Sequence, residues 1–165
     1  MQPKPIHGKL TFLLSFIILL LCTGCPYKSD YPMAGKVLAY DVTFNGSWKN
    51  NDAELTISRI DDHNFRFYYN DYDPDFGAGE LKGKGYVIDH APSQFVVLEQ
   101  ATTPKSYFVY KIVSIRPNTV KLNELDEALV RDRKFSSTTA FTKFINDNLS
   151  SISAASTETW TRTRR

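Results

Sequence analysis

The sequence predicts a mainly β protein, a small antiparallel β-barrel or strongly curved sheet with two short helices, set behind an N-terminal export segment. Three observations carry that reading. Apolar and polar residues alternate through several short runs, clusters of turn-forming residues separate the runs, and helical spacing is confined to one late stretch. A two-sheet sandwich satisfies the same strand count and stays open as the competing architecture.

The export segment comes first. Lys4 and Lys9 give a cationic start, Leu10 to Leu21 form an apolar run, and the small residues Thr23 and Gly24 precede Cys25. A membrane-spanning helix requires about 20 apolar residues, and here Pro26, Lys28 and Asp30 follow at once. Thr23-Gly24-Cys25 resembles the end of a bacterial lipobox, with Cys22 standing where such motifs usually carry leucine. The resemblance implies that residues 1–24 are a signal peptide cut off before Cys25, and that the Cys25 thiol carries diacylglycerol. A secretory leader cut elsewhere, with Cys25 left free, is the alternative. Each buried methylene contributes about 0.8 kcal/mol and a second acyl chain makes anchoring stable, so the folded part is expected to be tethered to a membrane rather than inserted in it.

Removing residues 1–24 takes away two lysines and no acidic residue, leaving 18 basic and 18 acidic residues. Such a balance lacks the net-basic surface of a non-specific nucleic-acid binder, so no nucleic-acid partner is expected. Cys25 becomes the only cysteine, which excludes a disulfide and a cysteine metal site and, if the thiol is acylated, a thiol nucleophile. The remaining chain of about 140 residues suffices for one domain without staples. The expected organisation is a lipidated cysteine and poorly ordered linker over 25–36, then a single β-rich domain over 37–165.

Within that domain, Val37 to Phe44 reads as a short strand or an irregular wrap. Ala53, Leu55 and Ile57 alternate with polar residues, and after the turn Asp61 to Asn64 so do Phe65, Phe67 and Tyr69, which makes a hairpin. Gly83 to His90, Gln94 to Gln100, Tyr107 to Ile115 and Thr119 to Asn123 follow as strands of a meander with prolines at or near their turns. Glu124 to Arg133 changes to helical spacing, and Ser136 or Ser137 can cap a second helix with the apolar stripe Phe141, Phe144, Ile145 and Leu149. Ser150 to Ser156 reads as a small polar link. Thr157 to Arg164 alternates strictly, and ending on a strand points to closure of the sheet.

Asn45-Gly46-Ser47-Trp48-Lys49 resembles the Gly-x-Trp signature on the first strand of lipocalin-like proteins. The resemblance implies a barrel able to enclose a small apolar ligand, and a basic residue from the last strand, Arg162 or Arg164, lying across Trp48 at the closed end. The two late helices depart from that family. The chain also resembles a group of uncharacterised bacterial lipoproteins sharing Gly24-Cys25-Pro26-Tyr27, Gly46-Ser47-Trp48, a Tyr-rich strand at Tyr107 to Tyr110, and Trp160-Thr161-Arg162. That likeness implies no activity.

Candidate chemistry is sparse. Asp71, Asp73 and Asp75 alternate as at the start of an EF-hand loop, but glycine arrives one place late at Gly77 and Lys82 stands where a bidentate Glu is required. A solvated acidic loop over Asn70 to Glu80 at the barrel mouth is therefore expected rather than a calcium site, and no cofactor is implied beyond the lipid on Cys25. His63 and His90 sit beside turns, and no nucleophile elbow, zinc-binding helix or phosphate loop occurs. Phe65, Phe67, Tyr69, Phe108 and Tyr110 are the candidate pocket lining. Tyr68, on the opposite face from Phe67 and Tyr69, is expected beneath the helix that bears Phe141 and Phe144. The functional expectation is a non-enzymatic module of the cell envelope, on the outer membrane if the host has one, binding a small apolar ligand or an envelope protein. An enzyme using carboxylates and tyrosines at the barrel mouth is the alternative.

Overall fold

The computed structural model describes residues 27–51, 53–73, 77–125, 127–130, 133–154 and 157–163. Among them run nine strands: β1 Lys36–Val37, β2 Gly46–Asn50, β3 Ala53–Arg59, β4 Asn64–Asp73, β5 Gly77–His90, β6 Ser93–Gln100, β7 Ser106–Arg116, β8 Thr119–Glu124 and β9 Thr157–Arg162. Strands β2 to β9 pair antiparallel in sequence order. The last then returns to β2, with Trp48 opposite Arg162 and Lys49 opposite Thr161, so eight strands close into a barrel of lipocalin-like form. Closure decides against a sandwich and leaves no long open edge. β1 is a two-residue flap on β5, pairing beyond the point where β4 begins.

The pleat sorts side chains into two cores. Inward-facing Trp48, Ile57, Phe65, Phe67, Val96 and Trp160 fill the barrel. At Gly85 the ring of Phe65 lies where any Cβ would be, so the wall there has room only for glycine. Outward-facing Ile88, Phe95, Val97 and Val109 on β5 to β7 form the second core, beneath a helical layer.

That layer has three pieces: α1 Glu127–Val130, α2 Thr138–Asp147 and α3 Leu149–Ala154. Ser137 caps α2, its Oγ accepting from the Ala140 amide at 3.2 Å. Phe141, Phe144 and Ile145 then project from one face into the outer core. α3 follows after Asn148, buries Ile152, and is tied to β8 by Asn123 Nδ2 donating to the Ile152 carbonyl at 3.2 Å.

Five expectations are corrected. Residues 27–36 are not a loose linker: Ser29 and Tyr107 exchange backbone hydrogen bonds of 2.8 Å, the Ala34 amide donates to Thr142 Oγ1 at 2.8 Å, and Met33 is only 2% exposed. The outer core needs a cover between the sheet and α2, and this strap provides it. Asn70 to Asp73 and Gly77 to Glu80 are strand rather than loop, because β4 and β5 keep pairing from Asn70↔Glu80 to Asp73↔Gly77, residues 74–76 lying outside the described residues; a two-stranded ribbon needs only backbone partners, and its glycines present no obstacle. Glu124 belongs to β8, opposite Tyr110, rather than to a helix. Leu149–Ala154 is helical rather than a link, because Ile152 reaches the outer core. Finally, the helices do not cover Tyr68. They settle where the outer wall is apolar, and Tyr68 stays 40% exposed, donating to Glu80 Oε1 at 2.7 Å.

If the strap is part of the fold, Met33→Ala will destabilise the protein by about 2–5 kcal/mol, the usual loss for truncating a buried methionine. Denaturant unfolding measures this, and an unchanged midpoint would return residues 27–36 to a linker.

Candidate functional site

The two ends of the barrel differ. At one end a 3-10 turn, Val42–Phe44, crosses the opening, and Asp41 Oδ1 accepts from the Thr43 amide at 2.8 Å to start it. Phe44 from this turn stacks on Phe65 with ring centroids 6.2 Å apart, and Trp48 Nε1 donates to the Phe44 carbonyl at 2.9 Å. The guanidinium of Arg162 lies 4.3 Å from the Trp48 ring centroid. It also donates to the Thr43 carbonyl at 2.6 Å, to the Pro117 carbonyl at 2.7 Å, and to the Asn45 carbonyl. Gly46, at φ +125°, leaves the space the guanidinium needs: a Cβ there would come within 2.6 Å of Nη1. Gly46, Trp48 and Arg162 thus form one closure, while Arg164 lies outside the described residues.

The other end is packed less completely. Leu55, Tyr69, Leu81, Leu98 and Tyr110 face inward yet keep some contact with solvent, above the fully buried Phe65 and Phe67. Phe108, opposite Leu98 on the same face, is buried. Of the five aromatic candidates, Phe65 and Phe67 therefore form the floor and Tyr69 and Tyr110 the mouth.

Two carboxyl groups that sequence reasoning did not single out complete the mouth. Glu124 ends β8 and Glu158 lies on β9 beside it, and a hydrogen bond joins their side chains. Burial first, then this hydrogen bond and the repulsion between the two groups, push the Glu124 carboxyl up to about 8. Trp160 Nε1 donates to Glu158 Oε2 at 2.9 Å. Tyr69 Oη donates to Asp71 Oδ2 at 3.1 Å, and its ring meets Trp160 edge-on at 6.1 Å. Burial raises the Tyr69 and Tyr110 hydroxyls, and the neighbouring carboxylates raise them further, so both stay protonated donors at neutral pH. The mouth thus holds a shared carboxyl proton, phenol donors and an indole above an aromatic floor.

A signal for Glu158 did exist: in Thr157 to Arg162 it shares a strand face with Trp160 and Arg162, hence with the barrel interior. Glu124 was masked by its resemblance to a helix start.

Of the candidate metal ligands, Asp71 is engaged by Tyr69, Asp73 lends its backbone to β4, and Asp75 lies outside the described residues, as do residues 1–24 and Cys25. Among the described residues no group of three or more His, Cys, Asp or Glu is arranged to hold a metal ion, and no helix is long and apolar enough to cross a membrane. In comparisons with known proteins, no family model, curated protein or solved structure matches the chain.

Two predictions follow from the two ends. Arg162→Ala should cost about 2–4 kcal/mol in denaturant unfolding, and Arg162→Lys most of the same, because a point charge cannot fork to three carbonyls while covering a ring; a silent Arg162→Lys would refute the clamp. At the mouth, the folded state keeps a proton on Glu124 that the unfolded chain releases above pH 4.5, so the native state binds more protons and stability falls as pH rises from 4.5 to about 8. Glu124→Gln should flatten that fall and, at the alkaline end, stabilise the protein by on the order of 1 kcal/mol after allowing for solvent screening. Thermal melts of both proteins across this range measure the effect, and parallel curves would rule it out.

Proposed function

We propose that the protein is a lipid-anchored lipoprotein of the bacterial cell envelope, held to a membrane through Cys25, whose barrel is a non-enzymatic binding module for a small ligand. The observation that carries this reading is the asymmetry of the barrel. One end is shut by Arg162 on Trp48, and at the other the inward-facing leucines and tyrosines are only partly buried. Small-molecule sites commonly combine an apolar lining with a few convergent polar groups, and this mouth has that composition. The ligand it suits has an apolar body resting on Leu55, Leu81 and Leu98, and a polar end meeting Tyr69, Tyr110, Glu124 and Glu158.

A second reading rests on the same carboxyl pair. A carboxyl group whose proton is held to neutral pH beside a second carboxyl is a pattern found in general acid–base catalysis, and an enzyme using Glu124 and Glu158 is the alternative.

Native mass spectrometry of the protein purified from its own membrane tests both. A binding barrel should carry a discrete additional mass that is absent from Leu98→Trp, in which a larger ring fills the mouth, while the melting temperature stays close to wild type. A bare mass from freshly purified wild-type protein would sink the binding reading. A ligand recovered intact by wild type, but covalently altered on incubation in a manner abolished by Glu124→Gln, would establish the enzyme instead.

A further inference from the structure

The strap fixes where the chain enters the domain. β7 begins at the mouth and ends at Arg116, beside the turn whose Pro117 carbonyl holds Arg162 at the closed end. Ser29 pairs with Tyr107, the second residue of β7, and is 1% exposed; from there the strap passes over the outer core to Lys36, opposite Asp89 near the far end of β5. The chain therefore arrives at the mouth end of the barrel and runs away from it.

The first described residue is already docked. Tyr27 packs on Phe135 and Phe141, with ring centroids 6.4 and 6.3 Å away. Cys25 precedes Tyr27 by two residues, and at no more than ~3.6 Å per residue the intervening chain spans about 7 Å. An acylated Cys25 cannot hold the domain off a bilayer over that distance, which is within the Debye length of about 8 Å at physiological salt. The surface at the entry point suits such closeness: Lys28 next to Tyr27, and Arg133 and Lys134 next to Phe135, are exposed, and basic residues at a membrane surface are drawn to anionic headgroups. Asp30 is the acidic residue on this part of the strap.

We infer that the entry point around Tyr27 and Phe135 seats on an anionic bilayer surface, and that the barrel mouth consequently opens beside the membrane that holds Cys25. This rests on the lipid-anchor reading above. The bilayer is then the partner of this end of the molecule, and a ligand passes between lipid and barrel without crossing bulk water.

The test uses the mature protein purified with its own modification, its mass recording whether Cys25 is acylated, in vesicles of phosphatidylcholine and phosphatidylglycerol containing nitroxide-labelled lipid. A fluorophore is attached through Ala101→Cys, in the β6–β7 loop at the mouth, or through Asn118→Cys at the closed end. With Cys25 acylated, the mouth probe should lose roughly half its emission and the closed-end probe almost none, a contrast expected of contact with the interface. Lys28→Glu with Arg133→Glu and Lys134→Glu should reduce the quenching at least severalfold while acylation persists. Equal quenching at the two ends, or stronger quenching at Asn118, in acylated protein would overturn the orientation and leave the anchor standing. An unmodified Cys25 would overturn the anchor, and the orientation with it.

Discussion

The structure depends on one long-range pairing, that of the last strand with the first barrel strand. Trp48 and Arg162 are register partners, and the same arginine covers the indole and reaches carbonyls at both Thr43 and Pro117. A guanidinium can do this because its donors fan out in a plane while its face stays free to lie on a ring. The clamp thereby joins three segments far apart in sequence: the turn before β2, the β7–β8 turn and the end of β9. With that end shut, the aromatic floor of Phe44, Phe65 and Phe67 is sealed from below, and polar groups inside the barrel gather at the other end.

Those polar groups are costly to keep there. Glu124 and Glu158 sit close enough to share a proton, in surroundings that penalise charge. Replacing either by an apolar residue of similar size is the cheaper solution for stability alone. The mouth nonetheless keeps the pair, with Tyr69 and Trp160 around it.

Much of this architecture was legible in the sequence, because a half-buried strand writes its own signature: Phe65, Phe67 and Tyr69 against their polar neighbours, or Trp160 and Arg162 between threonines. What escaped was structure that leaves no regular apolar period in the sequence. The extension of the β4–β5 ribbon uses backbone pairing alone, so an acidic, glycine-containing stretch passes for a loop. The strap has no period because it is neither helix nor strand; Tyr27, Tyr31 and Met33 are spaced to fit the outer core they cover. At the mouth, the tyrosines were visible as members of an aromatic supply, whereas the meeting of Glu124 with Glu158 depends on register across β8 and β9, which one sequence does not reveal.

The clamp also bears on how the chain reaches its fold. Arg162 contacts Thr43 across 119 positions, so contact order is high and the ring closes late. A nascent or truncated chain lacking its last strand has β2 and β8 as raw edges, each a template for pairing with another molecule. Pairing of β9 with both β2 and β8 therefore turns an aggregation-prone open sheet into a closed one with its backbone groups satisfied.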